Sequence, residues 1–226
     1  MNFGQKVLHF HQSLPADWIL PKGFDLLYPF SEADTLQAME SFYGKYFSDE
    51  RPRIFLLGIN PGRFGAGVTG IAFTDPVHLQ DSCGIANPFQ KRHELSSIFV
   101  YEIINAFGGP DAFYRHCYIS SVCPLGFTRD GINCNYYDDR QLQNAVEPHI
   151  IQHLKEQIAF GCTGSTALCL GMGKNYKYLH KLNKRTGLFK EVRPLPHPRW
   201  VMQYRRKRMG EFIDQYLSEI QALLPS

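Results

Sequence analysis

Seven consecutive residues, Arg53-Ile54-Phe55-Leu56-Leu57-Gly58-Ile59, carry no polar side chain after the first and then stop at Asn60-Pro61-Gly62. So short and apolar a run reads as a buried strand, and the Asn-Pro-Gly behind it turns a strand into a loop. Three more segments read the same way. They are Cys117–Val122, stopped by Pro124 and Gly126; Ala167–Leu170, followed by Gly171-Met172-Gly173; and Glu191–Leu195, running into Pro196-His197-Pro198. Between the strands, apolar residues recur at helical spacing over Ala33–Tyr46, His93–Phe107, Asp138–Phe160 and Asn175–Arg185. Pro148 is expected to break or kink the third of these helices. Met209, Phe212, Ile213, Tyr216, Leu217, Ile220 and Leu224 describe an amphipathic terminal helix. Strand alternating with helix is the signature of a parallel sheet covered on both faces. The expected fold is therefore α/β: one three-layer α/β/α domain over residues 1–226 with a central, mostly parallel four-stranded sheet. Residues 1–32, with Pro15, Pro21 and Pro29, read as a packed, irregular arm holding one short helix. Asn60–Arg92 reads as a structureless Gly/Pro-rich loop, and loops of that length usually serve function.

Composition narrows the class. At 44% hydrophobic and 20% charged residues the chain is ordinary globular material, which excludes disorder as its main state. No stretch of aliphatic or aromatic residues, Ile54–Leu57 among the longest, is long enough for a bilayer. The N-terminus shows no basic head followed by an apolar run, so no signal peptide is expected. We expect a soluble, intracellular protein, in the cytoplasm or nucleoid if bacterial, with no membrane contact. Six cysteines without a C-x-x-C pair, in a chain of this size, argue against a disulfide framework, and several of them sit among apolar neighbours as small hydrophobes. A metal site built from Cys117, Cys123 and Cys134 is the competing reading, although ligand spacings such as C-x2-C are absent.

Charge is segregated. The segment from Lys174 to Arg208 holds twelve basic residues and one acid, Glu191, for +11, which leaves −8 on the remainder of a chain of net charge +3. Such a face suits a polyanionic partner; the alternative is a solvated basic helix and tail.

In parallel sheets the working residues gather beyond the carboxyl ends of the strands. Three exits here stand out: Asn60-Pro61-Gly62, Ser120-Ser121-Val122-Cys123-Pro124 and His197-Pro198-Arg199. They are expected to converge on one cleft. Neither a phosphate loop nor a dinucleotide fingerprint is present, and no G-x-S-x-G elbow supports an esterase. Asn60 either caps its turn or holds a water or a polar substrate edge. His197, stiffened by prolines on both sides, either is satisfied in a turn or serves as an oriented donor to a developing anion. Arg199, Trp200, Tyr204, Arg205 and Arg206 interleave bulky and basic groups, as a segment pressed against nucleic acid would. Asp75, before Pro76, reads as a surface turn rather than a base.

These motifs carry a resemblance. Gly58-Ile59-Asn60-Pro61-Gly62-Arg63-Phe64-Gly65, followed at matching spacing by Thr69-Gly70-Ile71-Ala72-Phe73, resembles the first motif of the uracil-DNA glycosylase superfamily. The likeness is greatest to its single-strand-selective monofunctional branch. Cys117–Leu125 and His197–Arg199 match the later motifs in order. The resemblance implies a glycosylase-like α/β/α fold and a mechanism without cofactor; a monomer without a metal is expected. It implies an enzyme of base excision repair that hydrolyses the N-glycosidic bond of uracil or a related deaminated base. The substrate is single- or double-stranded DNA, and the product is an abasic site. By resemblance Asn60 positions water, His197 meets the charge on the base, and Phe73 stacks on it. Ile59 and Gly70 line the base pocket, while Gly62, Arg63 and Gly65 lie along the DNA. Two departures stand out. Ser121 occupies the place of a base-reading asparagine, and a hydroxyl cannot make an amide's paired donor–acceptor contact. The family's second motif usually reads His-Pro-Ser-Pro, whereas here Arg199 follows Pro198 directly, so the wedge that the family inserts is expected to differ in shape, with Trp200 or Tyr204 as its tip. A non-catalytic nucleic-acid-binding module on the same fold is the alternative, and a hydrolase of small nucleotides or esters the third reading.

Overall fold

A computed structural model describes residues 1–225. Helix α1 (Phe3–Ser13) opens the chain on an Asn2/Gln5 capping box and leads to strand β1 (Asp25–Leu27) and helix α2 (Ala33–Tyr46). Strand β2 (Arg53–Gly58) is followed by two short helices, α3 (Ala66–Thr69) and α4 (Pro76–Asp81), then by α5 (Leu95–Ala106) and α6 (Pro110–His116). Strands β3 (Cys117–Ser121), β4 (Gly126–Arg129) and β5 (Ile132–Cys134) precede the long helix α7 (Arg140–Ala159). Strand β6 (Cys162–Leu170), α8 (Lys174–Thr186), β7 (Glu191–Leu195), α9 (Pro198–Tyr204) and α10 (Met209–Gln221) complete the chain.

The central sheet has the order β3-β2-β6-β7, and every neighbouring pair is parallel. All six residues of β2 are buried, which requires cover on both faces and accounts for the unbroken apolar run. Phe55 stacks on Tyr118 across the β2–β3 pair at 5.8 Å, and Phe3 of α1 meets Tyr118 edge-on at 5.2 Å. The expected sheet and its strand exits are borne out.

Three local expectations are corrected, and one sheet had not been expected. The stretch Asn60–Arg92 is not structureless, because α3 and α4 form within it. Helix α7 runs unbroken through Pro148, which sits on the exposed face; Asn144, whose carbonyl the proline leaves unpaired, is exposed as well. Asp75 is no surface turn. It is buried as the N-cap of α4, its Oδ1 accepting the N–H groups of Val77 at 3.0 Å and His78 at 2.8 Å. A second sheet, antiparallel and ordered β1-β4-β5, carries no sequence signal because its strands are only three or four residues long.

Candidate active site

The exits of β2, β3 and β7 meet at a cavity of about 680 Å³, whose lining includes Asn60, Phe73, Ser121 and His197. The loop behind β6, Gly171-Met172-Gly173, closes it from the fourth strand. Convergence of the three exits on one cleft is therefore what the fold delivers.

Asn60 stands two residues beyond β2 and is held by the short second sheet. Its Oδ1 accepts the Tyr136 N–H at 3.2 Å, and its Nδ2 donates to the carbonyls of Cys134 at 3.2 Å and Pro61 at 3.3 Å. Both amide hydrogens are thus engaged, and one Oδ1 lone pair is left over. The group remaining on Asn60 is an acceptor, suited to the O–H of a water.

His197 forms the N-cap of α9, its Nδ1 accepting the Arg199 N–H at 3.2 Å. That bond assigns the proton to Nε2. Burial first, then the Arg199 charge, pushes the imidazole down to about 4, so it is a neutral donor at pH 7. The buried Tyr216 hydroxyl of α10 donates to the carbonyl of Pro196 and anchors the segment from behind.

Phe73 has a left-handed backbone, φ 52°, which costs a non-glycine residue about 1–3 kcal/mol. The Thr69 hydroxyl pins this turn by donating to the Thr74 carbonyl at 2.7 Å and accepting the Ile71 N–H at 3.2 Å. The ring lies 6.3 Å from that of His197. Ser121 ends β3 opposite Gly58, and its hydroxyl makes no hydrogen bond to the described residues, which leaves it to the cavity. Ile59 lines the cavity with its carbonyl tied to the Cys123 N–H at 3.0 Å.

The remaining expected residues divide. Gly62 lines the cavity; Gly65 faces Glu94, since a Cβ there would land on that carboxylate. Arg63 is exposed and donates to the Gly131 carbonyl of the β4–β5 turn. Gly70 is the exception. It ends α3 at φ 71° and faces Met39 and Thr35 of α2, so it supports the loop from behind rather than lining the base pocket. Arg199, Trp200 and Tyr204 border the cavity, with Trp200 and Tyr204 exposed. Arg205 lies over the Trp200 ring at 5.0 Å, and Arg206 is exposed just beyond.

Sequence reasoning missed Glu94, Asn133 and Asn175, which also line the cavity. Asn175 is buried, accepts the Tyr136 hydroxyl at 2.7 Å and donates to the Gly58 carbonyl at 3.3 Å. It thereby ties α8 to the end of β2 and to the segment that grips Asn60. The glycines before it marked a fourth strand exit, and that was the available signal.

For a metal, one group among the described residues brings three candidate ligands within 4.8 Å: Asp75, His78 and His93. Asp75 is already engaged, accepting the N–H groups of Val77, His78 and Glu94 and bonding the His78 ring at 3.0 Å. Burial works to raise this carboxyl, but the His78 and Glu94 bonds outweigh it and bring it to about 2. The group reads as an elaborated helix cap. Cys117 and Cys123 are buried and free, and Cys134 is free as well. No described helix is long and apolar enough to cross a membrane.

The family model of the uracil DNA glycosylase superfamily matches residues 45–221, a span that takes in every strand of the central sheet and both Asn60 and His197. The chain belongs to that superfamily. The single-strand selective monofunctional uracil DNA glycosylase of Bos taurus is 28% identical over 90 residues, and that of Mus musculus 29% over 91. Each match covers about a third of this chain and 33% of the relative's length. The crystal structure of wild-type Pedobacter heparinus SMUG2 superimposes with a TM-score of 0.95 at 45% identity, covering 99% of this chain and 98% of that one. The likeness to the single-strand-selective branch is thus borne out, and it extends beyond the motifs to the whole fold.

Proposed function

We propose that the protein is a monofunctional DNA glycosylase that hydrolyses the N-glycosidic bond of uracil or a related deaminated base and leaves an abasic site. The observation that carries this reading is the division of labour at the cavity: a neutral imidazole with its free proton on Nε2, and an asparagine whose one spare group is an acceptor.

A base must leave the stack to reach such a site, at a cost of a few kcal/mol that is smaller for single strands. Stacking on Phe73 recovers about 1–3 kcal/mol of it. The bond from the sugar carbon to the base nitrogen then breaks, and its electron pair goes to the base. The Nε2–H of His197 stabilises that anion, while the spare lone pair of Asn60 orients a water toward the cationic sugar. The Ser121 hydroxyl, with Asn133 in reach of the same cavity, reads the base edge. The exposed Trp200 and Tyr204, with Arg205 and Arg206 behind them, support docking of the strand on this face.

The test is alkali-induced cleavage of single- and double-stranded oligonucleotides containing uracil, with Asn60→Ala and His197→Ala alongside. Excision by the wild type, reduced about 10²- to 10³-fold by loss of the His197 donor, is the expected result. Tight, salt-sensitive binding without excision of uracil or other deaminated bases would instead favour a binding module. Activity surviving both substitutions would move the site elsewhere.

A further inference from the structure

We propose that Glu94 is the general base of this site, accepting the proton of the water that attacks the sugar carbon. The proposal rests on the glycosylase reading above and completes it. Hydrolysis requires a proton acceptor, and neither residue assigned a role above supplies one: Asn60 is an amide, and His197 has its Nδ1 engaged and its Nε2 protonated. Lys174 and Arg199, which also line the cavity, are cations, and burial first, then Asp138, pushes the Tyr137 hydroxyl further from ionising. Glu94 is the one carboxylate in the lining.

Its placement fits the role. Glu94 directly precedes α5, and its side chain reaches under the loop that carries Asn60. The Oε1 would stand 3.4 Å from a Cβ on Gly62, and the carboxylate occupies the space that Gly65 leaves by having none. It enters no ion pair within 4.0 Å with any described residue. Burial first, then the neighbouring Asp75, raises the carboxyl above its usual range, while Arg199 of α9 and the Ser96 hydroxyl draw it back. A raised carboxyl is a better acceptor at neutral pH.

The step balances. The C1′–N bond breaks with its pair on the base, the water oxygen bonds C1′, and Glu94 takes the proton, which then passes to the released base or to solvent.

The experiment is single-turnover excision of uracil from a single-stranded oligonucleotide across pH 4.5–8, for the wild type, Glu94→Gln and Glu94→Ala, the last with and without formate. DNA affinity and melting temperature are followed in parallel. The wild-type rate should fall on acidification with a midpoint above the usual carboxylate range. Glu94→Gln should lose about 10²- to 10⁴-fold in rate with affinity and melting little changed, and formate should restore part of the Glu94→Ala rate. A Glu94→Gln rate within threefold of wild type, a flat wild-type profile, or losses that track affinity and melting without rescue would overturn the assignment alone. A wild type that excises no base would overturn the glycosylase reading, and this role with it.

Discussion

The Phe73 ring occupies the space where Gly58 has no side chain: a Cβ on Gly58 would stand 2.8 Å from Phe73 Cε2 and 3.3 Å from the Ser120 carbonyl oxygen. The last residue of β2 and the Phe73 ring of the loop are therefore fitted to each other. Gly58→Ala should push the ring off its seat and lower uracil excision by about tenfold or more, since small displacements of positioning groups are costly. Single-turnover kinetics beside a melting curve separate this from unfolding. An unchanged rate would show that the ring has other acceptable positions.

Stability should fall on mild acidification. His197 and the buried His11 both titrate at about 4 in the folded chain, burial being the first cause in each, against about 6.5 unfolded. Between pH 6.5 and 4 the unfolded chain therefore binds protons that the native one refuses, so stability rises with pH across that window. Each such histidine adds a slope of up to about 1.4 kcal/mol per pH unit. The raised Glu94 carboxyl opposes this with one group of the other sign. Denaturant unfolding at pH 5 and pH 7 should show the loss, and His11→Phe should make it shallower. Equal stability at the two pH values would contradict the burial of neutral imidazoles.

DNA affinity should depend on salt through the basic edge beyond α9. Arg206 is exposed and enters no ion pair among the described residues, whereas Arg193 is held by Glu191 at 2.8 Å and Glu219 at 3.2 Å. Arg206→Ala should weaken binding across sequences alike and reduce the salt slope by about one, while Arg193→Ala should leave the slope in place. Titrations at several salt concentrations decide this, and equal effects from the two substitutions would mean that the strand does not run along this edge.

The central sheet was legible because its strands are apolar on both faces and end in glycine or proline, so pattern and punctuation agree at Gly58-Ile59-Asn60-Pro61. Asn60, Phe73, Ser121 and His197 were legible by resemblance, and the fold brings them to one cavity. Glu94 and Asn175 were not. Glu94 begins a helix in an unremarkable polar context, and Asn175 lies in the most basic helix of the chain; each gains its meaning only from contacts far away in sequence. Gly70 misled for the opposite reason: it lies within a matching motif, but its neighbour is Met39 of α2. Asp75 before Pro76 has the composition of a surface turn, and only the packing of α4 against α5 reveals it as a buried cap.

The grip on Asn60 also limits the paths by which this chain can change. Its Nδ2 faces two carbonyl oxygens, those of Cys134 and Pro61. An aspartate at position 60 would set an oxygen against both, and would be tolerated there only while it kept a proton. Any lineage descending from this sequence that acquired a charged base at the end of the first central strand would first have to rebuild the hairpin that reads the amide. A single-residue exchange at position 60 is thus opposed both by the neighbouring carbonyl and by one more than seventy residues away, so the amide is a feature that inheritance tends to keep.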